Sequence, residues 1–145
     1  MDYALEVIAL PVTDVDRAKD FYVSRAGFAL DVDYAPNPKF RVVQLTAPGS
    51  SCSIQIGIGV TTAAPGSVRD LCLVVADLQR ACQELSDRGV EIANIRHKAS
   101  VADWQGDFAP GLDPQRRDYA SFADFHDPDG NGWVLQERGF RAPAS

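Results

Sequence analysis

Several features that would settle a function quickly are scarce in this chain. No apolar run approaches the roughly 20 residues a membrane-spanning helix requires, so no membrane partner is expected. The opening MDYALEVIAL lacks the basic region and cleavage site of a secretory signal, which predicts a cytoplasmic protein. Cysteine is limited to Cys52, Cys72 and Cys82, without CxxC or Cys/His spacing. An odd number so placed predicts reduced thiols, not a disulfide framework or a zinc module. Positive charge is also short: 14 Lys and Arg against 20 Asp and Glu give a net charge of −6. A protein that neutralises a phosphate backbone needs a basic patch, and here only Arg116-Arg117 and the broken run Arg96-His97-Lys98 come close, so no nucleic-acid partner is expected. What remains is a chain of 145 residues, 46% hydrophobic and 23% charged. That is one ordinary globular domain, able to bury about two-thirds of its unfolded surface.

The stretch HDPDGNGWVLQE (126–137) nearly spells a calcium loop, since Asp127, Asp129 and Asn131 alternate before Gly132. An EF-hand needs a bidentate Glu at its twelfth position, and that place is held by Arg138. The following residues alternate like a strand, while Asp-Pro-Asp-Gly is turn chemistry. The segment reads as a turn leading into a strand.

The chain also repeats itself. LEVIALPVTDVDRAKDFYVSRAG (5–27) runs parallel to VRDLCLVVADLQRACQELSDRG (68–89). At one constant offset Val12 answers to Val75, Asp14 to Asp77, Val15 to Leu78, Arg17 to Arg80 and Ala18 to Ala81, with Gly27 and Gly89 aligned after one deletion. Each copy reads as an apolar strand, an Asp N-cap, an amphipathic helix and a glycine past its end. Extended segments follow in each half: 28–34, 40–47 and 51–59, then 89–95, 119–126 and 133–138. The expectation is an α+β domain of two βαβββ modules, residues 1–60 and 68–140, joined by a linker at 61–67, with eight strands and two helices. One helix covers only one face of a four-stranded sheet, so the mixed sheets should curl around a shared cleft.

A tandem βαβββ repeat with VTDVDRAKDFYVSRAGF in its first half and DPDGNGWVLQE near its end resembles the vicinal oxygen chelate superfamily, which includes glyoxalase I, bleomycin-resistance proteins, fosfomycin-resistance enzymes and extradiol dioxygenases. The resemblance implies a glyoxalase-like half-barrel and, in metal-dependent members, a divalent ion held by His, Gln or Glu at four places. By register those places are Val7, Gln55, Asp70 and Val134. Two valines cannot ligate, and one amide with one carboxylate falls short of the donors a transition metal needs. No metal and no cofactor are therefore expected, which argues against glutathione-dependent glyoxalase activity.

Period-2 parity places Val7, Ala9, Ser53, Gln55, Gly57, Asp70, Cys72, Val134 and Gln136 on the concave side, a mostly apolar wall with few polar groups. Asp70, on a strand expected to be half-buried, reads either as a ligand anchor or acid–base group or as a carboxylate at a solvated cleft rim or salt-bridged across a dimer. The long segment 97–118 carries Trp104, Phe108 and Arg116-Arg117, and reads as a lid stacking on a flat ligand with Arg116 or Arg117 facing an anionic group, or as a surface covering. His97 lies near it and is a candidate acid or base; His126 reads as structural. Two functions follow. One is a metal-independent, bleomycin-resistance-like homodimer that binds a small aromatic or cyclic metabolite. The other is a lyase, isomerase or cyclase using Asp70 with Gln55 or His97. A metal-dependent enzyme with substituted ligands is a residual third.

Overall fold

The computed structural model describes residues 1–100 and 106–144. The chain divides into two compact units, Met1–Arg69 with His126–Asn131, and Asp70–Phe125 with Gly132–Ser145. Together they contain two α-helices and two mixed sheets, of four and five strands, neither closed into a barrel.

In the first unit β1 (Val7–Ala9) leads to α1 (Val15–Asp20), and then come β2 (Ala29–Asn37), β3 (Phe40–Thr46) and β4 (Ser53–Ile58). Asp14 caps the helix as its sequence position demands, its side chain accepting the Arg17 N–H at 3.0 Å. Val15 and Ala18 point inward, and the same stripe continues through Phe21 and Tyr22 of a π-helical turn, Phe21–Arg25. Gly27, at φ +79, lets the chain leave the helix. The sheet order is β1-β4-β3-β2; β1 runs parallel to β4 and the other pairs are antiparallel. Val43, Leu45, Ile54 and Ile56 are buried among the core residues with Val15, Ala18, Phe21 and Tyr22. The Val, Leu, Ile and Phe side chains among them each contribute roughly 1.5–3 kcal/mol by leaving water.

The near-calcium stretch forms the turn expected, and its carboxylate is filled from within. One Asp127 oxygen accepts the N–H groups of Asp129 and Asn131, and the other accepts the buried Tyr22 hydroxyl and the Asn131 amide, all within 3.0 Å. Asn131 also donates to the Pro11 carbonyl, and Asp129 accepts from the backbone and hydroxyl of Thr13. With its oxygens occupied by donors, Asp127 clamps the β1–α1 connection instead of a cation.

In the second unit β5 (Leu71–Val75) leads to α2 (Leu78–Asp87), then β6 (Ala93–Lys98), β7 (Phe108–Pro110), β8 (Ser121–His126) and β9 (Gly132–Glu137), with sheet order β5-β9-β8-β6-β7. Asp77 caps α2 through the Arg80 N–H, the counterpart of Asp14. One strand more is present than the eight expected. Phe108–Pro110 pairs with β6 at the sheet's edge, where a proline is tolerated because its missing N–H faces outward. Strand β6 also starts later than the segment 89–95 suggested. Phe125 and Trp133 stack in parallel on the α2 side, 6.0 Å between centroids. No helix among the described residues is long and apolar enough to cross a membrane.

Candidate functional site

Each sheet has a helix on one face and an open face on the other. In the first unit Asp33 accepts from Lys19 of α1, so Asp33 and its partner Val43 mark the covered side. The neighbours Val42 and Gln44 therefore face away, and cross-strand register adds Gly57 and Gln55 to that open face. Gln55 lies opposite Ala9, and Ser53 opposite Val7. The polar groups there are paired in a row: the Gln55 amide donates to Gln44 at 3.0 Å, Thr46 and Ser53 share a hydrogen bond of 2.6 Å, and the Thr46 hydroxyl also donates to Asp31.

In the second unit Glu137 accepts the Leu78 N–H at the start of α2, which fixes Trp133, Leu135 and Glu137 as the covered face of β9. Val134 and Gln136 face the open side, opposite Cys72 and Val74, and the Cys72 thiol lies 3.4 Å from the Gln136 carbonyl oxygen. On β8 the residues between the buried Ser121, Ala123 and Phe125 are Phe122 and Asp124. Next to them Arg96 bonds Asp124 at 2.9 Å, while its guanidinium lies 5.4 Å from the Phe122 centroid and 5.0 Å from that of Phe108. The two rings meet edge to face at 5.5 Å, and Lys98 sits over Phe108 at 4.4 Å. Two aromatic rings interleaved with cations give this face both ring surface and positive charge, and Phe108 is 44% exposed.

Several expected site residues fall elsewhere. Asp70 is exposed, not half-buried: it adopts φ +62 and β5 begins one residue later, because that conformation cannot continue a strand ladder. His97 pairs with Ser121 on the helix-covered side, and its Nδ1 lies 2.9 Å from the Gly111 carbonyl, so it does not face Phe122 and Arg96. Asp70 and His97 stand three strand spacings apart in the sheet, about 14 Å. Arg116 does not reach outward to an anion. It grips the fully buried Glu137 through Nε and Nη2 at 2.8 and 2.7 Å, with Asp77 at 3.2 Å, and these acids raise its pKa. Arg117 does the same for buried Asp113, whose carboxyl it holds well below the usual carboxylate range. Trp104 lies outside the described residues. Phe122 and Arg96 were missed at the sequence level; alternation in YASFADFH would have exposed Phe122, since it sits between residues destined for the core.

The four family metal places do not fit an ion. The first unit offers Gln55, whose Nε2 donates to Gln44, and Val7, which has no donor atom and lies opposite Ser53. The second offers the exposed Asp70 and Val134. Among the described residues no group of three or more His, Cys, Asp or Glu could hold a metal.

Among proteins of curated description none matches the sequence significantly. Solved structures do. TnmS3, an antibiotic binding protein from Streptomyces sp. CB03234, is 29% identical with a TM-score of 0.70, covering 94% of this chain and 96% of its own. A glyoxalase/bleomycin resistance protein from the same Streptomyces strain is 30% identical with a TM-score of 0.68, covering 92% of this chain and 100% of its own. The family model for the Glyoxalase/Bleomycin resistance protein/Dioxygenase superfamily matches residues 4–135. With two helix-backed open sheets and that match over most of its length, the chain belongs to the Glyoxalase/Bleomycin resistance protein/Dioxygenase superfamily.

Proposed function

We propose that this protein is a metal-independent binder of a small, flat, aromatic or cyclic molecule, of the bleomycin-resistance type. The observation that carries this reading is the open face of the second unit, where Phe108 and Phe122 flank the Arg96 guanidinium, with apolar Val134 on the strand next to that of Phe122. A planar ligand stacked there gains ring contact, and Arg96 supplies orientation: among the described residues its bonds run through Nη1, to Asp124 and the Asn94 carbonyl. The relative described as an antibiotic binding protein supports a small-molecule ligand. Acid–base catalysis by Asp70, Gln55 and His97 has less support, because Asp70 is solvated and His97 faces the helix.

A homodimer belongs to this reading. Strand β2 is an edge, all nine of its residues are exposed, and Leu30, Val32 and Tyr34 lie along it. Such an edge pairs readily with another chain. Sedimentation at micromolar concentration tests the dimer.

A thermal-shift screen of planar antibiotics and aromatic metabolites, run with a chelator present, tests the ligand class. We expect stabilised melting with at least one polycyclic compound, and recovery of that compound unchanged after prolonged incubation. Conversion of the compound would make the protein an enzyme; stabilisation only after adding a divalent metal would remove metal independence.

A further inference from the structure

We propose that the second unit holds another small-molecule site, on its helix-covered side, for an uncharged and largely apolar ligand. A cavity of about 390 Å³ opens between α2, β6 and the chain after β7. That size lies within the range of drug-sized pockets. Its helix wall is built on the buried side chains of Leu78 and Cys82. Across from them stand Ile92, Ile95 and Leu112, and Ile95 is left 41% exposed. A large β-branched side chain so placed gains by contact with an apolar body.

The chemistry of the lining selects the ligand's charge. No Asp, Glu, Lys, Arg or His is among the lining residues, and burial pushes the Cys82 thiol up, so it stays neutral. A charged ligand would lose hydration there without a counter-charge. The polar groups that do line it, Gln79, Gln83 and Ser86, all come from α2. Gln83 uses its amide nitrogen on Asp87 and keeps its carbonyl oxygen. At spacings of four and three residues they form one stripe along the helix. A ligand with one polar edge and an apolar body matches this division. The site lies on the opposite side of the sheet from Phe122 and Arg96, so the two surfaces bind independently.

A matched pair of probes tests the site. N-phenyl-naphthylamine is neutral, and anilinonaphthalene sulfonate is the same scaffold carrying an anion. Because the open face also suits a flat probe, binding is read at Cys82 of the cavity: the neutral probe should slow its alkylation at a concentration at least about tenfold below that of the sulfonate, which finds no counter-charge there. Ile95→Trp fills the mouth from an exposed position and should remove the neutral probe's protection of Cys82. In the unaltered protein the neutral probe should slow alkylation of Cys82 by N-ethylmaleimide, with Cys52 of the first unit as internal control; this readout decides the matter if the Ile95 variant fails to fold. An unprotected Cys82, equal protection by both probes, or protection that persists in a folded Ile95→Trp variant would each overturn the proposal.

Discussion

Replacing Arg116 by alanine separates two roles for that residue by their size. Its guanidinium is bonded to both oxygens of Glu137, whose side chain has no exposure, and lies 3.6 Å from the Phe140 ring centroid. Glu137 retains one other donor, the Leu78 N–H at 2.8 Å. Removing one partner of a buried pair leaves the other charge uncompensated and costs about 3–5 kcal/mol. For a domain of this length that lowers the melting temperature by roughly 10 °C. Urea unfolding followed by tryptophan emission reads the loss, since Trp133 lies in the core. In a Glu137→Gln background the same substitution should cost less, with a coupling of roughly 1–3 kcal/mol, because no buried charge is left behind. A loss below about 1 kcal/mol, with weakened ligand binding instead, would refute this account and make Arg116 a ligand contact.

Acid should weaken the protein partly through Asp113. Arg117 holds its folded-state pKa below the unfolded value of about 3.9, so the stability it supplies is complete above that value and is lost as pH falls through the lower folded one. Below about pH 4 the urea midpoint should therefore fall more steeply in the unaltered protein than in Asp113→Asn; parallel slopes would contradict this. Asp127→Ala should destabilise by about 2 kcal/mol, because it removes an acceptor from the buried Tyr22 hydroxyl and from one N–H of the Asn131 amide, and calcium should leave the melting temperature of the unaltered protein unchanged. Protein purified without chelators should carry less than about one-tenth equivalent of any transition metal, since two of the four family ligand places are valine; stoichiometric metal by elemental analysis would contradict this.

What the sequence made legible was local and periodic. Asp14 and Asp77 could be read as caps because capping depends on neighbours three residues away, and the repeat offers each twice. The open face of β1, β4 and β9 followed from strand parity, which needs no tertiary information. What stayed hidden depends on pairing across distance. Arg116 meets Glu137 only because the last strand passes under the start of α2, and Tyr22 meets Asp127 across more than a hundred residues. Adjacent arginines in a polar loop look available until their acids are located. Asp70 was misplaced for another reason: parity assumes the ladder continues, and a residue at φ +62 ends it. The extra strand β7 ends in Pro110, a residue that argues against a strand unless its edge position is known.

The central claim is that the open face carrying Phe108, Phe122 and Arg96 binds a flat organic molecule without a metal. Calorimetric titration of the best-stabilising polycyclic compound, in the presence of a chelator, tests it most directly. The account predicts saturable binding at one site, unchanged by chelator, and weakened about tenfold or more by Phe108→Ala, as for loss of a stacked aromatic anchor worth 1–3 kcal/mol. Affinity that is unchanged in Phe108→Ala, or that vanishes when metal is removed, would contradict it.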